Sequence, residues 1–205
     1  MKLSLAEASI VAAVFILTGC MVVAAAKTTA NTSAQCQGNL RKIGMAQAMH
    51  AAEHGNRLEL NLYDLNPYLG FAPTDIPAVT GCPAVPPERR RKVFYGFEYG
   101  KNGYVLCPQK VLSSNSTSEK AENHLSSYPS PGKTMLYLDF PPEPTGGLGA
   151  VFDSSPWLKA EDPKGFRHES RSDILFMDGH VAPLSPQEVP GDSKTPFWSE
   201  TRSLK

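Results

Sequence analysis

Apolar and polar positions divide this 205-residue chain into a helical front and a loop-rich remainder. Residues 8–26 read ASIVAAVFILTGCMVVAAA, without a charge or a proline. A run of that length suffices to cross the ~30 Å hydrocarbon core of a bilayer as a helix. The helical pattern continues through more polar sequence to Gly55, the first residue with the character of a C-terminal stop. At 1.5 Å per residue the whole would be a rod of roughly 75 Å. In its outer half Cys36, Leu40, Ile43, Gln47 and His50 recur at spacings of three and four, so this face needs a cover. Gln35, Gln37, Arg41 and Ala48 lie opposite. Three parts are expected: a signal and membrane part over 1–26, an extramembrane helical stalk over 27–55, and a loop-rich β domain over 56–205.

Beyond Gly55 the elements are short. Residues 62–69 predict a brief helix or turn, interrupted by Asp64, Asn66 and Pro67. Residues 93–99 and 104–107 read as two strands joined by a turn at Lys101-Asn102-Gly103. Residues 113–132, rich in Ser, Asn, Glu and Pro, predict a long exposed loop. A strand follows over 134–140, stopped by Pro141 and Pro142, and Trp157 offers an aromatic anchor for the next loop. Asp178-Gly179, set between two apolar runs, predicts a two-residue hairpin because Gly accepts positive φ.

Composition sharpens this picture in three ways. Eighteen prolines and sixteen glycines agree with short elements and many loops. Twenty basic residues balance twenty acidic ones, so no net field draws the chain to nucleic acid. Of four cysteines, Cys20 lies in the apolar run, Cys36 on the stalk, and Cys82 and Cys107 in Cys-Pro pairs. If the C-terminal part is exported, a disulfide is allowed, with Cys82 its expected member and Cys107 or Cys36 its partner. Three extramembrane cysteines leave one over, so the connectivity stays open. The basic run over 89–92 reads as a solvated loop.

His168, Asp173, Asp178 and His180 invite a metal or acid–base reading. A strand between them would hold His168 and Asp178 roughly 17 Å or more apart, which favours structural roles for both. No nucleophile elbow, P-loop, HExxH or Cys-x-x-Cys occurs. Neither catalysis nor a metal or cofactor is expected.

The front end admits three readings. Lys2 followed by an apolar run suits a secretory signal, although Glu7 falls inside its early part. Leu17-Thr18-Gly19-Cys20 has the pattern of a lipobox, which would make the protein an exported lipoprotein acylated at Cys20 that binds a small molecule or a surface partner. Thirdly, Leu3-Ser4-Leu5-Ala6-Glu7 and the apolar run resemble the start of type IV pilins and type II secretion pseudopilins. Lys2 stands where that family has Gly, and Leu3 where it has Phe.

Two further stretches carry the same resemblance. Cys36-Gln37-Gly38-Asn39-Leu40-Arg41-Lys42-Ile43-Gly44 is similar to the stalk of pilin-like proteins with an H-x9-D-G domain, and Cys82-Pro83 resembles their Cys-Pro element. His168, nine residues, then Asp178-Gly179, with Phe176 and His180 beside them, matches the signature itself. The resemblance implies a pilin-like α+β fold, with a long N-terminal membrane-spanning helix packed on a small, mainly antiparallel sheet. It implies a structural subunit of a type II secretion or type IV pilus-like assembly, acting by helix bundling. Its partners would be other pilin-like subunits, a prepilin peptidase cutting between Lys2 and Leu3, and the inner membrane. The short N-terminus would be cytoplasmic and the C-terminal domain periplasmic or extracellular. Glu7 would meet the amino terminus of a neighbouring subunit.

Overall fold

The computed structural model describes residues 32–59, 62–73, 75, 78–85, 99–102, 105, 124–139, 150–151, 158, 166–192 and 194–198. Helix α1 runs over residues 32–53. It ends in a left-handed turn at Gly55 and Asn56, both at φ 64°, where the Asn56 N–H closes back on the Ala51 carbonyl at 2.7 Å. A 3-10 turn over Leu62–Leu65 leads into the single-turn helix α2, Asn66–Leu69, which Gly70 ends at φ 79°.

Among the described residues five short strands form one sheet: β1 Tyr99–Asn102, β2 Met135–Asp139, β3 Ala150–Val151, β4 Ser172–Phe176 and β5 Val181–Leu184. Their order is β3-β1-β2-β4-β5. The β1–β2, β2–β4 and β4–β5 pairs are antiparallel, and β1–β3 is parallel. Lys101 and Asn102, expected in a turn, are strand residues paired with β3. The expected hairpin around them is replaced by the β1–β2 pairing, in which Tyr99 faces Asp139.

Every residue of β2 and of β4 is buried, because both faces of the sheet are covered. On one face Cys36, Leu40, Ile43 and Ala46 of α1 pack with Leu136, Tyr137 and Leu175. Leu136 and Tyr137 are neighbours, yet both join this layer. The β2–β4 register shifts between Met135 and Tyr137, which relaxes strict alternation there. On the other face Met135, Leu138, Ile174 and Phe176 lie under Leu158, Phe166, Phe197 and Trp198. The C-terminal segment is therefore core. Trp198 Nε1 donates to the Pro190 carbonyl at 2.6 Å, and the Met135 N–H to the Phe197 carbonyl at 2.8 Å.

The expected membrane rod is corrected. Among the described residues no helix is long and apolar enough to cross a membrane. α1 lies in the stretch expected as the stalk and is amphipathic, with Arg41 and Lys42 exposed and Leu40 and Ile43 buried against the sheet. The single-pass inner-membrane placement drawn from that rod is overturned with it. The apolar run over 8–26 lies outside the described residues, as do Lys2, Leu3, Glu7 and Cys20.

Candidate functional site

Four segments converge where α1 meets the sheet. α1 brings Cys36 on its buried stripe. The loop after the 3-10 turn Ala78–Thr80 brings Cys82. That loop is held by Asn39, whose Nδ2 donates to the Gly81 carbonyl at 3.2 Å, and by the Tyr99 hydroxyl, 3.4 Å from the same carbonyl. β2 ends in Asp139, a carboxylate with no exposure. Arg167 and His168 come from the approach to β4.

The approach to β4 folds back on itself. His168 and Arg171 exchange backbone hydrogen bonds at 3.0 and 2.9 Å around Glu169 and Ser170, both at positive φ. That is the primed turn of a two-residue hairpin. It sets His168 beside the start of β4 instead of trailing away from it. The Asp178-Gly179 turn differs from the two-residue form expected there. Only Gly179, at φ 90°, is left-handed, and the loop closes through Gly179 N–H to the Phe176 carbonyl and Phe176 N–H to the His180 carbonyl.

The side chains of Cys36, Cys82, Asp139 and His168 are all buried, and their ligand atoms lie within 4.8 Å of one another. His168 Nε2 is 3.4 Å from Cys82 Sγ and 3.2 Å from Asp139 Oδ2. Asp173 Oδ2 stands 3.6 Å from the same nitrogen. Cys82 Sγ is 3.4 Å from Asp139 Oδ2, and Cys36 Sγ 3.4 Å from the Tyr99 hydroxyl. Arg167 grips Asp139 through both Nε and a terminal nitrogen. Asp173 accepts from Gln37 Nε2 at 3.0 Å and from the Ser33 hydroxyl at 3.3 Å, tying β4 to α1.

The electrostatics follow from this crowding. The Cys36–Cys82 contact holds the Cys82 thiol below its ordinary range, against burial and with help from His168 and Arg167. The same contact, with burial, pushes Cys36 up. Burial works against charge on His168, but Asp139 and Cys82 overcome it and raise the imidazole to about 10. Burial raises the Asp173 carboxyl in spite of Gln37.

A thiol beside an imidazole invites comparison with a cysteine nucleophile. Two features rule against it. Nothing of Cys36 or Cys82 reaches the surface, so a substrate has no approach. A relay also needs the thiol on one ring nitrogen and the carboxylate on the other. Here both press on Nε2, while Nδ1 has no hydrogen-bond partner among the described residues.

The structure separates the residues that the sequence grouped. His168 and Asp173 go to the buried cluster, whereas Asp178 and His180 sit on the exposed tip of the β4–β5 hairpin. There Asp178 Oδ1 accepts from the His180 backbone at 3.1 Å and meets its ring Nδ1 at 2.6 Å, and the ring stacks on Phe176 at 4.3 Å. Burial acts against the Asp178 charge, but these bonds hold its carboxyl below the ordinary range. Gly44 has a steric role: a Cβ there would lie 3.0 Å from Leu175 Cδ1 and 3.5 Å from the Gly179 Cα. Of the cysteines considered for a disulfide, Cys36 and Cys82 come together as free thiols, and Cys107 lies outside the described residues. Asp139, Arg167 and Tyr99 were not singled out from sequence. The available signal is an acid closing the otherwise uncharged strand MLYLD, since a buried carboxylate needs a charged partner.

The fold and site together define a helix-on-sheet domain with a closed Cys–Cys–Asp–His centre at the junction. No family model, curated protein or solved structure matches the chain.

Proposed function

We infer that this chain is a pilin-like structural subunit that works by associating with further copies of itself and not by turning over a substrate. The observation that carries this reading is where the motif residues are spent. Asn39 holds the Cys82 loop, Leu40 and Ile43 fill the core, and Gly44 lets α1 approach the β4–β5 hairpin. His168 is sealed in the junction and Asp178 braces its own turn. Residues from the two ends of the chain thus serve to join a helix to a sheet, as the resemblance implies for a subunit whose helix carries its domain.

Association needs a surface, and the outer face of α1 offers one. A groove of about 650 Å³ runs beside it, lined by Lys42, Met45, Met49, Tyr68, Phe71 and Pro83. Met45, Met49 and Phe71 are large apolar side chains that stay exposed, an arrangement that marks contact surfaces. A second copy is the occupant this reading names, because a chain of zero net charge carries no overall repulsion against itself. The test places a photo-crosslinking residue at Met49 in the full chain. Covalent oligomers of this chain are expected, reduced several-fold by Phe71→Asp. A chain that sediments only as a monomer and yields no crosslinked copies overturns the reading.

A further inference from the structure

Three groups converge on one atom of this protein. The Cys82 sulfur, an Asp139 oxygen and an Asp173 oxygen stand 3.4, 3.2 and 3.6 Å from His168 Nε2. A ring nitrogen carries one proton or one lone pair, so it satisfies one such neighbour well and the others poorly. The other nitrogen, Nδ1, is buried without a hydrogen-bond partner among the described residues. Hydrogen bonding alone accounts badly for this crowding. A cation held between Nε2, the Cys82 sulfur and the Asp139 oxygen accounts directly for the mutual approach of those three atoms.

We propose that Cys36, Cys82, Asp139 and His168 bind one Zn(II) in a closed tetrahedral site that locks α1 to the sheet. Zinc bonds of 2.3 Å to sulfur and 2.0–2.1 Å to nitrogen or oxygen require ligand atoms roughly 3.3–3.8 Å apart in a tetrahedron. The contacts of 3.2–3.4 Å among Cys82, Asp139 and His168 lie at the short end of that spacing or just under it, and Cys36 completes a set whose atoms all lie within 4.8 Å. The donor set is selective. Two thiolates and an imidazole suit zinc, whereas magnesium and calcium prefer oxygen alone.

Charge balance supports the assignment. Zinc with two thiolates, one carboxylate and a neutral imidazole carries one net negative charge. Arg167, paired with Asp139, offsets it, and Asp173, 3.6 Å from His168 Nε2, stays outside the ligand set, held by Gln37 and Ser33. Binding expels two protons, whether they start on the two thiols or on one thiol and the imidazolium. Outer contacts hold three of the four ligands: Arg167 grips Asp139, the Tyr99 hydroxyl contacts Cys36, and Asn39 fixes the Cys82 loop, while His168 is placed by the backbone turn to Arg171. Four protein ligands leave no open position, so the ion is structural and not catalytic.

The experiment uses the full chain, purified in a reductant and without chelators. Elemental analysis should find one zinc per chain. Replacing zinc with Co(II) should give the intense visible bands of a four-coordinate site together with near-ultraviolet thiolate charge transfer. Cys82→Ser and His168→Ala should abolish stoichiometric binding, while His180→Ala, at the exposed hairpin tip, should keep it. Because the first two substitutions also risk the fold, the cobalt spectrum of the unaltered chain carries the test independently. Failure to take up zinc or cobalt overturns the proposal, as does a weak six-coordinate spectrum lacking the thiolate band. Thiol trapping in intact cells that finds Cys36 joined to Cys82 as a disulfide overturns it too.

Discussion

Glu169 and Ser170 occupy the left-handed region in succession, at φ 53° and 62°. For an L side chain that conformation costs roughly 1–2 kcal/mol per residue. Both side chains are exposed, so neither gains burial in return. What the turn secures is the position of His168, returned to Asp139 and Cys82 by the two hydrogen bonds to Arg171. Asn-Gly is the pair that suits two left-handed positions. Glu169→Asn with Ser170→Gly should therefore raise unfolding stability by about 1–2 kcal/mol, read as a higher denaturant midpoint at unchanged slope. A lower midpoint would show that the native side chains hold the turn by contacts of their own. The same residues explain a limit of sequence reading. No Gly, Asn or Asp marks this hairpin, whereas Asp178-Gly179 carries the expected letters and forms a longer loop. Turn chemistry was legible at the second site and invisible at the first, where tertiary contacts override local preference.

At the scale of elements, α1 carries two glycines of opposite consequence. A Cβ at Gly38 meets nothing within 4 Å, while one at Gly44 lies 3.0 Å from Leu175 Cδ1 and 3.5 Å from the Gly179 Cα. Alanine in a helix interior is favoured over glycine by about 0.8–1.0 kcal/mol. Overpacking a tight contact costs typically 1–3 kcal/mol. Gly38→Ala should thus stabilise by nearly 1 kcal/mol. Gly44→Ala should come out neutral to about 2 kcal/mol destabilised, and Gly44→Leu worse again, because the hairpin backbone cannot yield as the Leu175 methyl can. Equal gains from the two alanines, measured by chemical denaturation, would mean that α1 does not approach the hairpin this closely. The buried stripe of α1 was legible in advance: Cys36, Leu40, Ile43 and Gln47 are all inside, as their spacing requires. The strand partners were not legible. Nothing local to Lys101-Asn102 distinguishes a turn from an edge pairing, since the parallel β1–β3 contact is made with chain almost fifty residues away.

At the scale of the whole molecule, the sheet separates two apolar layers, and only one was foreseen. The α1 side announced itself by helical periodicity. The other side is closed by Phe197 and Trp198, an aromatic pair in a Pro- and Ser-rich segment without a helical or strand period to mark it as core. The site was legible to a similar degree: Cys36, Cys82 and His168 stood out as residue types, but their meeting with Asp139 depends on the β2 register and the fold-back before β4. The two layers share β2 and β4, whose residues alternate between them around the register shift. A disturbance on either side therefore reaches the same hydrogen-bonded strands, and the layers should unfold together. Trp198 is fully buried, and truncating such a side chain costs about 3–5 kcal/mol, a large share of the roughly 5–15 kcal/mol that holds a domain folded. Trp198→Ala should lower the midpoint of a single transition and shorten amide-exchange protection equally in β4 and in α1 around Leu40, on the far side of the sheet. Loss of protection confined to residues 185–198, with α1 and β4 unchanged, would show that the C-terminal segment is a detachable cover and that the domain rests on the α1 layer alone.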